Sequence, residues 1–206
     1  MIEPRILVAT KNRHKAGELT ALTAGLAGAL SLADWEAEQG RTLTEPVENG
    51  RSFLENARLK ARAYASATGL ITLADDSGLT VPALGGAPGI HSARFGGAGL
   101  DDRQRGLLLL RKMKNRRNRR AFFTTVLVLA RPDGSTLHWR GRLDGFITAF
   151  PLGRNGFGYD PIFRAAGSGL TLAQLTPNRK NSISHRALAA RAFQADLTAV
   201  RAFMDR

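Results

Sequence analysis

Apolar runs of strand length alternate along the chain with longer stretches in which apolar residues recur at helical spacing. The apolar, partly β-branched runs predict strands at residues 5–10, 70–74, 121–130 and 137–145. The helically spaced stretches predict helices at residues 16–30, 52–67, 101–113 and 184–203. A turn at residues 132–134, with the sequence Pro-Asp-Gly, joins the last two strands in a predicted antiparallel hairpin. The pattern therefore indicates a mixed α/β fold rather than a purely parallel sheet.

Local signals refine the pattern at helix ends and loops. Ser52 and Glu55 stand three residues apart at the start of a predicted helix, which is the spacing of a capping box. Residues 85–99 contain six glycines and a proline, so we expect an ordered loop there rather than regular structure. Residues 153–158 form a second glycine-punctuated loop. Loops of this kind often carry functional groups.

Length and composition favour one soluble domain over residues 1–206. A chain of 206 residues with 43% hydrophobic residues is long enough to bury a substantial core. The absence of cysteine excludes disulfides and thiolate metal sites, so a metal would need oxygen or imidazole ligands. No apolar run reaches 18 residues and the first ten residues predict a strand rather than a leader. We therefore expect a cytoplasmic protein with no membrane partner.

The net charge of +13 admits a nucleic-acid partner, a membrane surface or a polyanionic small substrate, and does not choose among them. Arginine supplies 24 of the 30 basic residues, and its spread along the chain favours a general compositional bias. Residues 111–120 hold seven basic residues and no acidic one. We interpret this basic segment as a solvated loop before a strand.

Two groups of residues suit phosphate and metal chemistry. Thr10, Asn12, Lys15 and Glu18 follow the first predicted strand, and the carboxyl ends of strands in open α/β sheets are where ligands bind. A helix N-terminus together with a lysine there favours phosphate. Asp75 and Asp76 follow the predicted strand 70–74, and Mg²⁺ is commonly held by one or two such carboxylates plus substrate phosphates. Further carboxylates upstream are Glu45, Glu48 and Glu55.

Two later groups suit recognition of a base. Phe157, Gly158, Tyr159 and Asp160 combine two aromatic rings with an acid, which can form a stacking wall, although the residues taken alone favour packing of the two rings in the core. Lys180, Ser184, His185 and Arg186 bring cationic and hydrogen-bonding groups to the start of the last predicted helix. Such groups can bind a carbonyl oxygen or a phosphate, although a helix cap at the surface explains them equally well.

Six strings, in order, resemble the inosine triphosphate pyrophosphatase family across nearly the whole chain. They are TKNRHKAGE at 10–18, FLENARLKA at 53–61, ADDSGL at 74–79, LGGAPGIHSARF at 84–95, GFGYDPIF at 156–163 and SISHR at 182–186. The resemblance implies an α/β fold with an elongated central mixed β-sheet flanked by helices, and two lobes around a substrate cleft. It also implies a homodimer, a Mg²⁺ cofactor and hydrolysis of ITP, dITP and XTP to the monophosphate and pyrophosphate.

The same resemblance assigns roles to individual residues. Asp76 is implied as the catalytic carboxylate and, with Glu48, as a metal ligand, although Glu45 remains an alternative for the second ligand. Either Asp76 or a metal-bound hydroxide would act as the base. The implied substrate-binding residues are Thr10, Lys11, Asn12, Arg13, His14, Lys15, Lys60, Ser77, Phe157, Gly158, Tyr159, Asp160, Lys180, His185 and Arg186. Lys11 and His14 occupy positions where relatives commonly have glycine.

Two alternative functions compete with this interpretation. A nucleic-acid-binding protein could use the basic segment 111–120, but no DNA- or RNA-recognition motif accompanies it. A Maf-like nucleotide pyrophosphatase of other specificity shares a threonine, lysine and glutamate arrangement near the N-terminus. The GFGYD and SHR strings argue against the Maf-like alternative.

Overall fold

The computed structural model describes residues 5–11, 13–23, 28–97 and 99–205. The strands are β1 (Arg5–Val8), β2 (Gly28–Ser31), β3 (Ile71–Thr80), β4 (Arg120–Ala130), β5 (Thr136–Ile147) and β6 (Phe163–Ala165). The helices are α1 (Arg13–Thr23), α2 (Leu32–Gln39), α3 (Phe53–Thr68), α4 (Asp102–Lys112), α5 (Pro177–Ile183), α6 (His185–Ala195) and α7 (Leu197–Met204). Short 3₁₀ helices lie at Pro82–Leu84, Gly89–Arg94, Asp160–Ile162 and Leu172–Gln174.

The six strands form one sheet in the order β2-β1-β3-β4-β5-β6. β1 pairs in parallel with both β2 and β3, whereas β5 and β6 are antiparallel. β4 and β5 are neighbours joined by a tight turn, in which the amide of Arg131 donates to the carbonyl of Ser135 at 3.0 Å. The predicted mixed α/β sheet with a hairpin is therefore confirmed.

The chain divides into two compact units, each assembled from separate segments. The first unit comprises Met1–Asp76, Val126–Arg140 and Ala189–Arg206. The second unit comprises Ser77–Thr125 and Gly141–Leu188. The boundaries after Asp76, Thr125 and Arg140 fall inside β3, β4 and β5, so these three strands contribute to both units.

Side-chain alternation along β1 builds two apolar layers in the first unit. Successive residues of a strand point to opposite faces of the sheet. Leu7 accordingly packs in a cluster with Trp35 of α2 and residues of α3, whereas Ile6 packs with Leu19 of α1 and Phe193 of α6. The first unit is therefore a sheet covered by helices on both faces.

The second unit has its own core. Inward residues of β3, β4, β5 and β6 pack there against α4 and the 3₁₀ helices, with Phe163 and Met113 fully buried. On β5 buried residues alternate with exposed ones from Trp139 to Ile147. The side chains of residues 140, 142, 144 and 146 are exposed, so this face of β5 is open to solvent within the described structure.

The prediction of a helix at residues 16–30 was wrong at both ends. α1 begins at Arg13, so Lys15 lies in its first turn rather than in a loop. Gly28–Ser31 forms strand β2, paired in parallel with β1. The four-residue run is too short for a visible period, and sheet pairing rather than local pattern decides its conformation. Ser31 then caps α2 by accepting from the amide of Asp34 at 3.1 Å.

The predicted end of a strand before Asp75 was also wrong, because β3 continues to Thr80. Both carboxylates therefore lie in the middle of a strand. Carboxylates can occupy buried strand positions when partners compensate for their desolvation. The partners of Asp75 and Asp76 are described with the site below.

The predicted helix at 184–203 is two helices. It starts as expected, since the hydroxyl of Ser184 accepts from the amide of Ala187 at 3.1 Å at the start of α6. It breaks at Asp196, whose φ and ψ are −108° and 23°. The carboxylate of Asp196 accepts from the indole nitrogen of Trp139 at 3.1 Å. This hydrogen bond holds the residue between the two helices against β5.

Smaller features differ in detail from the sequence patterns. Ser52 caps α3 as predicted, but the carboxylate of Glu55 accepts from the amide of Arg51, so the capping box is not reciprocal. The glycine-rich segment 85–99 contains a 3₁₀ helix, Gly89–Arg94, where a loop was expected. None of the helices in the described part of the chain combines the length and apolarity needed to span a bilayer.

Candidate functional site

Asp75 and Asp76 point to opposite faces of the sheet because they are neighbours on β3. Leu73, two residues before Asp75, belongs to the apolar cluster that contains α1. Ala74, two residues before Asp76, belongs to the cluster that contains α3. Alternation therefore directs Asp75 towards α1 and Asp76 towards α3, and the two carboxylates meet different partners.

Asp75 is paired with a lysine of α1. Its carboxylate, 1% exposed, accepts from Lys15 Nζ at 2.9 Å. A buried carboxylate requires such a partner, since an unpaired charge in the interior is strongly unfavourable. The structure thus places Lys15 beside Asp75, and a phosphate at this point would share the ammonium with it.

Asp76 is the carboxylate with the perturbed acidity. It is 7% exposed and accepts from the side-chain amide of Asn56 at 3.2 Å. Burial, followed by repulsion from Glu48, raises the pKa of Asp76 to about 6, against the partial compensation of Lys60, Asn56 and Lys15. A carboxylate with a pKa close to neutrality is suited to accept a proton from water.

Lys60 of α3 contacts both Glu48 and the backbone of Asp75. Its ammonium forms an ion pair with Glu48 and donates to the backbone carbonyl of Asp75 at 3.1 Å. Burial alone would lower the pKa of Lys60, but the attraction of Asp75, Glu48 and Asp76 outweighs it and raises the pKa. Lys60 is therefore a fixed positive charge within this carboxylate cluster, which consists of Glu48, Asp75 and Asp76.

Asn56 is a site residue that the sequence interpretation missed. It is completely buried, and its carbonyl oxygen accepts from the amide of Gly50 at 2.8 Å while its nitrogen donates to Asp76. A Cβ on Gly50 would lie 2.7 Å from this carbonyl oxygen, so the close approach requires glycine. Asn56 lies inside the string FLENARLKA. It could have been identified from the sequence as a polar residue one helical turn before Lys60.

The carboxylate cluster suits a divalent cation that brings its own further ligands. Glu48 and Asp76 are close enough for their charges to raise the pKa of Asp76. No group of three or more His, Asp or Glu side chains with metal-ligand geometry occurs among the described residues. Two carboxylates without a complete protein cage match the way Mg²⁺ binds together with substrate phosphates and water. Glu45 is exposed. The pKa of Tyr64 is raised first by burial of Tyr64 and second by the charge of Glu45.

The other predicted phosphate contacts follow the end of β1 in the sequence. Thr10 is partly buried, and its amide donates to the carbonyl of Val8 at 3.1 Å, whereas Lys11 is exposed. Asn12 lies outside the described residues. Arg13 and His14 form the start of α1 by their backbone. Among these residues the structure connects Lys15 directly to the carboxylate cluster.

Within the second unit, two buried cations lie over the ring of Phe157. Lys180 Nζ is 4.6 Å and Arg186 Cζ is 5.2 Å from the ring centroid. Both cationic residues are less than 9% exposed. Cation–π attraction of this kind strengthens when the cation is desolvated. Phe157, Lys180 and Arg186 form an aromatic–cation cluster, and their role in base recognition stays a prediction.

Asp160 fixes this cluster in place. Its carboxylate accepts from Lys180 Nζ at 2.5 Å and from the amide of Phe157 at 2.9 Å. Gly156, with φ of +78°, allows the turn, and a Cβ there would lie 2.1 Å from the carboxylate. The side chain of Asp160 is thus engaged by the protein itself, which makes it a positioning residue for Phe157 and Lys180.

Tyr159 faces the core rather than the open side of the loop. It is 6% exposed and its hydroxyl donates to the carbonyl of Ser92 at 2.8 Å. Burial raises the pKa of Tyr159 above its ordinary value. The amide of Gly158 donates to Asp102 at 2.8 Å. The predicted stacking wall is therefore reduced to one candidate ring, that of Phe157.

His185 and Ser77 occupy distinct positions in the second unit. The imidazole of His185 is 3% exposed and stacks on Phe123, with ring centroids 4.6 Å apart and 10° between the planes. Arg186 follows it on α6 and reaches Phe157 instead. Ser77 directly follows Asp76 on β3 and is partly buried. The stacking role of Phe123 could not be predicted from the sequence, in which it is one apolar residue of a predicted strand.

Comparisons with known proteins agree with this picture. The Ham1 family model matches residues 6–196. A dITP/XTP pyrophosphatase of Deinococcus radiodurans is 47% identical over 191 residues, covering 93% of this chain and 92% of the relative. A dITP/XTP pyrophosphatase of Thermus thermophilus is 46% identical over 191 residues, covering 91% and 89%.

Solved structures show the same fold. A HAM1 protein from Coxiella burnetii aligns with a TM-score of 0.87 and 36% identity, covering 95% of this chain and 99% of the other. A nucleoside-triphosphatase / dITP/XTP pyrophosphatase from Mycobacterium abscessus aligns with a TM-score of 0.77 and 40% identity, covering 94% and 98%. Together with the six strings and the buried carboxylate cluster, these matches place the chain in the Ham1 family.

Proposed function

We propose that this chain hydrolyses the deaminated purine nucleotides ITP, dITP and XTP to the nucleoside monophosphate and pyrophosphate. The relatives named dITP/XTP pyrophosphatase, at 46–47% identity over most of both chains, support this activity. In the molecule itself, the observation that carries the proposal is Asp76, a buried carboxylate with a pKa of about 6 next to Glu48 and Lys60. A nucleotide triphosphate is the small-molecule partner, and removal of deaminated purines from the nucleotide pool is the role.

The first unit supplies the phosphate and metal chemistry in this proposal. Asp76 and Glu48 would hold Mg²⁺, and a bound Mg²⁺ would supply positive charge to the leaving pyrophosphate. Lys15 and Lys60 add positive charge where the triphosphate binds, together with Thr10 and residues 11–14. Asp76, deprotonated above its raised pKa, accepts a proton from the attacking water.

The second unit supplies base recognition. Hypoxanthine and xanthine carry a hydrogen-bond acceptor at C6, where adenine carries a donor. Lys180 and Arg186 are desolvated cationic donors beside the ring of Phe157, on which a purine can stack. A donor left without an acceptor costs free energy in a buried site, so ATP is rejected. His185, Ser77 and the 157–160 loop complete this group.

Release of pyrophosphate tests the activity directly. We expect turnover of ITP, dITP and XTP well above that of ATP, dependent on Mg²⁺, with monophosphate as the second product. Asp76→Asn, which keeps the size of the side chain, should lower kcat by at least about two orders of magnitude. Diphosphate and orthophosphate as products would show that a different bond is cleaved, and near-normal turnover in a folded Asp76→Asn variant would reject the role of Asp76.

A homodimer in the cytoplasm forms the last part of the proposal. The homodimer follows from the family resemblance of the sequence strings, and the location is the default expected from the lack of an 18-residue apolar run. Light scattering coupled to gel filtration measures the oligomeric state. A monomer at micromolar concentration would contradict it.

A further inference from the structure

The positive charge of the protein is concentrated in one of its two units. The second unit holds 16 Lys and Arg residues and four Asp, which gives it a net charge of +12. The first unit holds 14 basic and 13 acidic residues, a net charge of +1. Arginine is spread evenly along the sequence, but the net positive charge is not shared evenly between the two units. A uniform compositional bias therefore does not account for the charge of the second unit.

The basic segment 111–120 contributes seven of these cations, and it is an ordered part of the second unit. It begins in the last turn of α4, which Met113 caps. Backbone bonds then fold it into a turn, from the amide of Lys114 to the carbonyl of Arg111 at 3.2 Å and from Arg116 to Met113 at 3.1 Å. The segment ends in β4.

Arg119 braces the segment against the neighbouring chain. Its guanidinium donates to the backbone carbonyls of Ile147 at 2.6 Å, Thr148 at 2.5 Å and Met113 at 3.1 Å. Three charge-assisted bonds to carbonyls hold this arginine as a structural group. The solvated loop expected from the sequence is thus a fixed turn with one of its seven cations committed to the fold.

The remaining six cations face solvent. They are Arg111, Lys112, Lys114, Arg116, Arg117 and Arg120. Across the described ranges, none of the six takes part in a salt bridge, and no acidic residue occurs in the sequence between Asp102 and Asp133. An ordered run of like charges that form no ion pair with a carboxylate creates a positive potential that attracts polyanions.

The composition of the segment indicates what kind of polyanion fits. It contains no aromatic residue for stacking on bases, and its one apolar residue, Met113, is completely buried. It therefore lacks an apolar group to insert into a bilayer. Arginine and lysine presented this way match the spaced phosphates of a nucleic-acid backbone, a contact that is independent of base sequence.

We propose that the basic segment 111–120 is a surface that binds the phosphate backbone of nucleic acid, independently of the nucleotide-hydrolysing site. Binding is electrostatic and indifferent to sequence. It releases condensed counterions and therefore weakens as salt increases. This function is additional to the proposed hydrolysis and does not depend on it.

Fluorescence anisotropy with a short labelled DNA duplex of mixed sequence, measured over a series of salt concentrations, tests the proposal. We expect the logarithm of the binding constant to fall linearly with the logarithm of salt concentration. The triple variant Lys114→Gln, Arg116→Gln, Arg117→Gln should reduce the slope by about 0.9 for each lost phosphate contact, or roughly 2.7 in all. Release of pyrophosphate from ITP should be unchanged in this variant.

A matched control removes three charges elsewhere. Arg140, Arg191 and Arg201 are exposed residues of the first unit, and their replacement by Gln gives the same net charge as the test variant. The control should retain the salt slope of the unmodified protein. Equal slopes in the two triple variants would overturn the proposal, because net charge alone would then explain binding. Absence of salt-dependent DNA binding, or tighter binding to phosphatidylserine vesicles than to DNA at equal phosphate concentration, would overturn it as well.

Discussion

Asn56 connects the backbone before α3 to the carboxylate with the raised pKa. One side-chain amide satisfies both the amide of Gly50 and the carboxylate of Asp76. Glu48 lies two residues before Gly50 and raises the pKa of the same Asp76. The position of Asn56 therefore couples the geometry of residues 48–50 to that of Asp76.

Replacement of Asn56 by Leu should lower kcat/KM for ITP by about one to two orders of magnitude, since a hydrogen bond to a charged group contributes roughly 1.5–3 kcal/mol. Because Asn56 lowers the pKa of Asp76, its loss should also move the acidic limb of the pH–rate profile to higher pH. Stopped assays across pH measure both effects. The exposed neighbour Asn49, replaced by Ala, serves as the control. A fall in rate without any shift of the profile would mean that Asn56 acts only on the fold.

The raised pKa of Asp76 gives a definite sign to the pH dependence. The carboxylate holds its proton below about pH 6, instead of below its ordinary 3.8, and this proton would compete with a Mg²⁺ ion for the carboxylate. Mg²⁺ affinity should therefore weaken by up to about tenfold for each pH unit below the pKa. Calorimetric titration of the protein with Mg²⁺ between about pH 5 and pH 7 measures this. Asp76→Asn should show a flat profile, and a flat profile in the unmodified protein would contradict the assignment.

Arg186 provides the test of base selectivity. Arg186→Ala removes a desolvated donor beside Phe157, so discrimination between ITP and ATP should fall by roughly one to two orders of magnitude. Most of the loss should appear as slower ITP hydrolysis, read from kcat/KM for both nucleotides. Arg179, exposed on the preceding helix, is the matched control. An equal loss for ITP and ATP would instead assign Arg186 to phosphate binding.

At the scale of helices and strands, the sequence predicted the long periodic segments well. α3, α4, β4 and β5 lie within a few residues of their predicted bounds, because each contains several turns or alternations. Short or interrupted elements were missed. β2 has four residues, and the break at Asp196 depends on a contact with Trp139 that is distant in sequence. Local pattern cannot contain such information.

The candidate site also contains residues that local sequence could identify and contacts that it could not predict. Asp76, Lys60 and Arg186 were recognisable from motif strings and Lys180 from the polar group before the last predicted helix, and the structure surrounds each with charged or aromatic partners. The separate partners of Asp75 and Asp76 could not be predicted while β3 was expected to end before them. Their orientation follows from strand alternation, which requires that the strand continue.

α6 supplies a test of element packing. Phe193 is completely buried and its ring packs edge-on against Trp139, with centroids 4.7 Å apart. Phe193→Ala should cost about 3–5 kcal/mol of unfolding free energy, which corresponds to a decrease in Tm of roughly 6–20 °C for a chain of this size. Gln194→Ala, at the exposed neighbouring position, should leave Tm nearly unchanged. Similar Tm values for the two variants would show that α6 contributes little to the core.

On the scale of the whole molecule, the two units differ in charge far more than in size. A net charge of +12 in one unit and +1 in the other makes the protein electrically asymmetric. The carboxylate cluster belongs to the nearly neutral unit, where positive and negative side chains are paired. The excess cations belong to the unit that carries the aromatic–cation cluster and the basic segment.

The chain passes between the units four times, within β3, β4, β5 and α6. During synthesis on a ribosome, every residue of the second unit has been made once Leu188 is added. Synthesis of the first unit begins earlier but is completed later. Phe193 and Val200, which pack in the same apolar cluster as Ile6 and Val8 of β1, are made near its end. The face of β1 that carries Ile6 and Val8 is therefore completed late, and a nascent chain carries this face without its partners from α6 and α7 for most of its translation.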